Sequence, residues 1–316
     1  MKRFLTCVTL LACLLGELDA GGLQQPVFRG RGDTIRVFVT VTDRDGRLVT
    51  TLAQDNFVVR DEGEPQPITQ FDNTPQPIRL IVMLDVSGSM EGNLSLLREA
   101  AAQLFARFRQ DDVARVGAFG HEITISPSFT HDARELAAAL PTGIAPDAPT
   151  PLWRAIDEAL GAFEKSDDRR KVILVLSDGK DTGPLSFRQR PASQGDVIDR
   201  ARREDVMIYA VGMRSRGSRS MQPGIGPGGL RAMLLADLPD PGLARVAEET
   251  GGGYIEIRLG ENLGAAFAGV ADELHTQYLL GYAPPRRDGK VHGIGVRVTQ
   301  GGLKPRARRN YVAPKE

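Results

Sequence analysis

Residues 34–42 (TIRVFVTVT) place apolar or β-branched side chains at alternate positions, the period of a strand with one buried face. Asp43-Arg44-Asp45-Gly46 reads as a turn, and Arg47 to Thr51 resumes extended chain. Asn56 to Asp61 and Ile68 to Phe71 add two short strands, separated by Glu62-Gly63-Glu64-Pro65. Residues 33–72 therefore predict a small antiparallel β module. Asn73 to Pro77, with two prolines, is a linker.

Beyond residue 77 the pattern changes. Ile78 to Leu84 (IRLIVML) is a nearly continuous apolar run, as in a strand covered on both faces. In Leu94 to Phe108, residues Leu97, Ala101, Leu104 and Phe108 share one helical face. Val113–Phe119 and Ile123–Ser126 predict strands, and Ala133–Leu140 and Leu152–Phe163 predict helices. Lys171–Leu176 is a second buried strand, followed by a helix over Val197–Arg203 and a strand over Val206–Val211. Leu243–Glu249 (helix), Tyr254–Ile257 (strand) and Leu263–Leu274 (helix) complete the series. Strands alternating with helices imply an α/β fold: a doubly wound, mostly parallel sheet flanked by helices, here over residues 78–275. Gln277–Tyr282 and Val291–Thr299 predict two more strands in a β-rich extension, 276–313, that pair with the N-terminal module or with each other. The basic stretch Lys304 to Arg309 reads as a solvated end. Residues 214–238 are rich in Gly, Ser and Arg and read as a long surface loop. It is a tolerated insertion or, through Arg214, Arg216 and Arg219, a binding loop for acidic partners.

Residues 1–20 carry a different signal. Lys2 and Arg3 precede an apolar run of twelve residues, Phe4 to Leu15, and small residues follow around Ala20. The run is shorter than the ~20 residues of a membrane span and fits a secretory signal peptide cleaved near Ala20. Leu10-Leu11-Ala12-Cys13 loosely resembles a lipobox, but the run continues past Cys13, which argues against lipidation there. No later segment is long and apolar enough to anchor the chain. The expectation is an exported protein, secreted or periplasmic. Both cysteines, Cys7 and Cys13, fall within this leader, so the mature chain has neither disulfides nor a reactive thiol.

Composition adds mostly exclusions. The 316 residues include 40 Lys+Arg and 40 Asp+Glu, so the net charge is zero and no electrostatic footprint for nucleic acid exists. A hydrophobic content of 41% suits a globular chain and excludes a disordered polyelectrolyte.

The candidate chemistry sits where strands end. Asp85-Val86-Ser87-Gly88-Ser89 follows the strand 78–84 directly, and Asp178-Gly179 follows the strand 171–176. Ligands of open parallel sheets bind at the carboxyl ends of the strands. Adjacent strands would bring Asp85 and Asp178 together. Thr150, between Pro149 and Pro151, precedes the helix 152–163 and offers a third hydroxyl, with Thr142 as the alternative in the same loop. Two carboxylates and three hydroxyls are hard oxygen donors suited to Mg²⁺, with Mn²⁺ or Ca²⁺ as further candidates.

Asp85, Ser87, Ser89, Thr150 and Asp178 together resemble the metal-ion-dependent adhesion site of von Willebrand factor A domains. The resemblance covers about residues 78–275. The flanks VTVTDRDGRLVTTLAQDNFVVRDEGEPQPITQF and YLLGYAPP are similar to those of the VWFA-related family of secreted bacterial proteins. The resemblance implies that Ser87, Ser89 and Thr150 ligate the metal directly. It has Asp85 and Asp178 bind directly or through water, and an Asp or Glu from a protein partner complete the octahedron. Asp181 reads as an exposed loop residue or an outer partner of the site.

Enzymatic readings fare worse. An aspartyl-phosphate phosphatase needs a carboxylate two residues after its first Asp, where this chain has Ser87. A serine hydrolase needs a His base, and the four histidines show no supporting spacing. His121 reads as a solvent-facing turn residue. Arg31-Gly32-Asp33, an integrin-type tripeptide, is attributed to coincidence in a Gly/Arg-rich stretch. The expectation is a non-enzymatic binding protein. A metal-dependent hydrolase or enzyme-associated subunit, and a structural envelope module with a stabilising metal, are the alternatives. Nothing in the sequence sets the oligomeric state.

Overall fold

The computed structural model describes residues 34–90, 92–163, 169–177, 180–183, 191–213, 240–258 and 261–315. The expected signal peptide, the Arg31-Gly32-Asp33 tripeptide, Asp178 and the loop 214–238 lie outside the described residues. Asp33–Glu316 form one compact unit.

The terminal stretches build a β-sandwich. Its N-terminal strands are β1 (Ile35–Thr42), β2 (Phe57–Asp61), β3 (Glu64–Gln66) and β4 (Gln70–Asp72). The central sheet follows, with β5 (Ile78–Asp85), β6 (Val113–Phe119), β7 (Ile123–Ile125), β8 (Arg170–Ser177), β9 (Val206–Met213) and β10 (Tyr254–Ile257). The chain then returns to the sandwich through β11 (Tyr278–Tyr282), β12 (Val291–Val298), β13 (Lys304–Arg306) and β14 (Asn310–Val312).

The central sheet has the order β10-β9-β8-β5-β6-β7. All its pairs are parallel except β6 with β7. Helices α1 (Leu94–Phe105), α2 (Ala133–Ala138) and α6 (Leu263–Leu274) cover one face, and α3 (Leu152–Gly161), α4 (Gln194–Glu204) and α5 (Pro241–Thr250) the other. This explains the unbroken apolar run of β5. Leu80, Val82 and Leu84 enter the core under α1 and α6, while Ile81 and Met83 enter the core under α3, α4 and α5. The doubly wound fold read from the alternation is the fold observed.

The sandwich pairs residues far apart in sequence. One sheet runs β13-β1-β11-β4 and the other β14-β12-β2-β3, with every pair antiparallel. Strand β11 inserts between β1 and β4, with Ile35 opposite Tyr282 and Phe71 opposite Leu280. The stretches 33–72 and 276–313, read separately from sequence, share one core of Val37, Val39, Phe57, Tyr278, Leu280 and Tyr311. A strand ladder left open at 72 would expose its unpaired edge, and the returning chain fills it.

Arg47–Thr51 runs back along β1, where Leu48 bridges Thr42 and Val49 N–H donates to the Val41 carbonyl at 2.8 Å. Two local expectations are corrected. Glu64 and Pro65 are not spacer but belong to β3, because Glu62 and Gly63 both adopt positive φ and close a two-residue hairpin. Lys304 to Arg309 is not a solvated end. Residues 304–306 pair with β1, and Arg306, Arg308 and Arg309 meet Glu273, Asp205 and Glu248.

A buried polar seam joins sandwich and sheet. Glu273 on α6 accepts from Thr40 Oγ1 at 2.8 Å and also from Tyr209 and Arg306. Arg170 donates to the Leu274 carbonyl at 2.7 Å and to Gln277 Oε1, and its guanidinium lies over the Phe38 ring. Arg170 opens β8, so this seam lies at the N-terminal end of that strand. The loops after Asp85 and Ser177 lie at the opposite end, about 26 Å away for an eight-residue strand.

Asp112 is fully buried and ties three elements together. Its carboxylate accepts from Ile78 N–H at 3.0 Å and Arg109 N–H at 2.7 Å, and meets His275 Nε2 at 2.7 Å. Burial raises this carboxyl, but the bonds from His275, Arg109 and Ile78 outweigh it and hold the group below 3.8. A depressed carboxyl stabilises the fold above its ordinary value and loses that contribution as pH falls through the lower folded value. Asp112→Asn is therefore expected to lower stability by about 1–3 kcal/mol at neutral pH. It should also flatten the loss of stability below pH 3.8, as followed by urea unfolding at several pH values.

Candidate metal centre

Three loops meet at the carboxyl end of the parallel strands. The first, after β5, carries Asp85, Ser87 and Ser89. Asp85 is completely buried and Ser87 is 2% exposed, whereas Ser89 faces solvent. Asp85 Oδ1 accepts from Ser87 N–H at 2.9 Å, which curls the chain back over the carboxylate. The Ser87 and Ser89 hydroxyls lie 3.0 Å apart.

The second loop runs from Pro141 to Thr150. Gly88 N–H donates to the Ala148 carbonyl at 3.3 Å and so joins the first two loops. A glycine is required here, since a Cβ would stand 1.8 Å from the Pro146 carbonyl oxygen. Thr150 is 5% exposed, while Thr142 in the same loop is exposed. The third loop follows β8. Ser177 donates to Asp85 Oδ2 at 2.5 Å, tying the ends of β8 and β5. Thr182 N–H donates to the Thr150 carbonyl at 3.0 Å, and Thr150 N–H donates to Thr182 Oγ1 at 3.0 Å. The loops are thus bonded pairwise into a closed ring. Asp85, Ser87, Ser89 and Thr150 come together on this ring; Asp178 follows Ser177 directly but lies outside the described residues.

Asp181 is a half-buried helix cap rather than an exposed loop residue. Pro151 cannot cap α3 with its own side chain, and Asp181 accepts from Trp153 N–H at 3.3 Å instead. Burial pushes the Asp181 carboxyl up, and the negative charge of Asp240 adds to this. Ser177, Gly88 and Thr182 were not singled out by sequence reading. Only the position of Ser177 beside Asp178 hinted at its role. His121 is exposed and pairs with Asp147 at 3.1 Å.

The donor set fits a hard divalent cation. Asp85, Ser87, Ser89 and Thr150 offer oxygen alone. Adjacent ligands of an octahedral ion held at ~2.0–2.1 Å stand about 2.8–3.0 Å apart. The serine hydroxyls already have that spacing.

The family model of the von Willebrand factor type A domain matches residues 80–226. No curated protein matches the chain. Among solved structures, von Willebrand factor type A from Catenulispora acidiphila is similar at 12% identity and a TM-score of 0.46, covering 92% of this chain and 76% of that one. The vWF domain of the type V pili tip protein Mfa5 from Porphyromonas gingivalis is similar at 13% identity and a TM-score of 0.45, covering 63% of this chain and 95% of that one. Proximal thread matrix protein 1 from the mussel byssus, with zinc in its MIDAS motif, is similar at 14% identity and a TM-score of 0.43, covering 69% of this chain and 50% of that one. No described helix is long and apolar enough to cross a membrane. Residues 80–226 of this chain are a von Willebrand factor type A domain.

Proposed function

We propose that the chain is an exported, non-enzymatic binding protein that holds Mg²⁺ at Asp85, Ser87, Ser89, Thr150 and Asp178. The bound ion would supply positive charge and an open coordination position at the surface. An Asp or Glu of a protein partner is the ligand that such a position favours. The observation that carries this reading is the pair of serine hydroxyls 3.0 Å apart beside the buried Asp85 carboxylate. Asp85 is anchored by Ser177 and Ser87 N–H, so its charge is presented in a fixed orientation. The non-enzymatic part of the reading rests on Ser87, whose hydroxyl faces Ser89 rather than an imidazole base.

Asp85→Asn keeps the side-chain shape and removes the charge. Titration calorimetry is expected to show Mg²⁺ binding to the parent chain and its loss, by at least ~10-fold in affinity, in this variant. Capture of an envelope partner should require Mg²⁺ and fail both in EDTA and with Asp85→Asn. A partner retained equally in EDTA would sink the metal-mediated mechanism.

A further inference from the structure

The β-sandwich holds a second group of donors that the crevice does not use. Asp61 ends β2, Glu62 follows it on the hairpin turn, and His292 lies beside them on β12. Asp61 and His292 are 1% and 3% exposed, whereas Glu62 is open to solvent. One donor atom from each lies within 4.8 Å of the other two.

The surrounding bonds orient this group. Asp61 Oδ2 accepts from Tyr282 OH at 2.8 Å and from Tyr311 OH at 2.6 Å. Both phenols donate to this one oxygen and so occupy it. Asp61 Oδ1 is left facing His292 Nδ1 at 3.2 Å. The other ring nitrogen, Nε2, lies 3.1 Å from Asp288 Oδ1. Lys290 N–H donates to the same Asp288 Oδ1 at 2.9 Å, so that oxygen meets Nε2 as an acceptor. The Glu62 carboxylate accepts from Gly293 N–H, which keeps it beside the strand that carries His292.

The electron pairs then pose a problem. With the ring proton on Nε2, Nδ1 directs a lone pair at Asp61 Oδ1, which also only accepts. Two acceptors 3.2 Å apart need a cation between them, either a second ring proton or a metal ion. Adjacent ligands of a tetrahedral zinc ion at ~2.0–2.1 Å stand about 3.3–3.4 Å apart, close to the spacing found. Asp288 behind the imidazole and two tyrosines behind the carboxylate are the outer bonds that orient metal ligands. One nitrogen and two carboxylate oxygens suit Zn²⁺, unlike the all-oxygen crevice.

We propose that Asp61, Glu62 and His292 bind one Zn²⁺-like transition-metal ion in the β-sandwich, with a fourth position left for water or an outside donor. This site stands independently of the function proposed for the crevice.

The test uses the full chain in the Asp85→Asn background, stripped with chelator and titrated with Co²⁺ as a coloured stand-in for Zn²⁺. One equivalent should bind with the intense visible absorption of tetrahedral Co²⁺, and Zn²⁺ should displace it. His292→Gln and Glu62→Gln should each weaken binding by at least ~10-fold. Glu62 is exposed, so Glu62→Gln keeps the fold and remains informative if His292→Gln does not fold. The absence of the absorption band, or a band unchanged in Glu62→Gln, would overturn the proposal. The ring proton would then fill the gap and leave a buried ion pair.

Discussion

Replacing Asp61 with alanine is expected to destabilise the metal-free protein by about 3–5 kcal/mol. The side chain is 1% exposed and serves three buried partners, Tyr282, Tyr311 and His292. Alanine leaves two phenolic donors and an imidazole without their acceptor. Each orphaned group costs roughly 1–3 kcal/mol. Asp61→Asn keeps one acceptor oxygen and should fall between alanine and the parent. Urea unfolding in EDTA, followed by far-ultraviolet circular dichroism, gives the ordering. An alanine variant within about 1 kcal/mol of the parent would show that the sandwich repacks around the loss.

Gly88→Ala should act on the metal crevice instead. Its Cβ would sit 1.8 Å from the Pro146 oxygen and 2.6 Å from the Pro146 carbonyl carbon. Backbone cannot yield as a flexible side chain does, so the Ser87–Ser89 turn must move off the Pro141–Thr150 loop. The Gly88–Ala148 bond then breaks, and the serine hydroxyls shift relative to Thr150. Mg²⁺ affinity is expected to fall about 10–100-fold. The stability cost should be only about 1–3 kcal/mol. Gly92→Ala is the control. Gly92 has φ +85°, with nothing within 4 Å of a Cβ, so alanine there strains the backbone without touching the neighbouring loop. It should cost about 1–2 kcal/mol and leave Mg²⁺ affinity near that of the parent. Equal affinities for parent and Gly88→Ala in calorimetry would show that loop contact does not set the site.

The two regions differed in how legible they were. Core strands β5, β8 and β9 stood out because burial on both faces demands unbroken apolar runs. Helices α3, α4, α5 and α6 stood out because each buries one face. Asp85, Ser87 and Ser89 were legible because they are contiguous and follow a buried strand. Thr150 needed the resemblance to a known pattern. Its bonds to Thr182 and the approach of Gly88 to Pro146 join loops more than thirty residues apart, which no local pattern encodes. Strands β3, β13 and β14 were missed because, unlike the equally short β7 (Ile-Thr-Ile), none places two apolar residues at alternate positions.

Periodicity, a local property, was enough to establish the doubly wound sheet from the sequence alone, and strand-end chemistry pointed to the loop that carries Asp85, Ser87 and Ser89. The tertiary structure decided the rest. It placed β11 between β1 and β4, turned two terminal stretches into one sandwich, and converted a basic tail into ion pairs with Glu273, Asp205 and Glu248. It also gathered Asp61, Glu62 and His292 from positions about 230 residues apart. Such long-range pairings depend on which edges and charges remain unsatisfied once the local elements have formed, and only the folded chain resolves that competition.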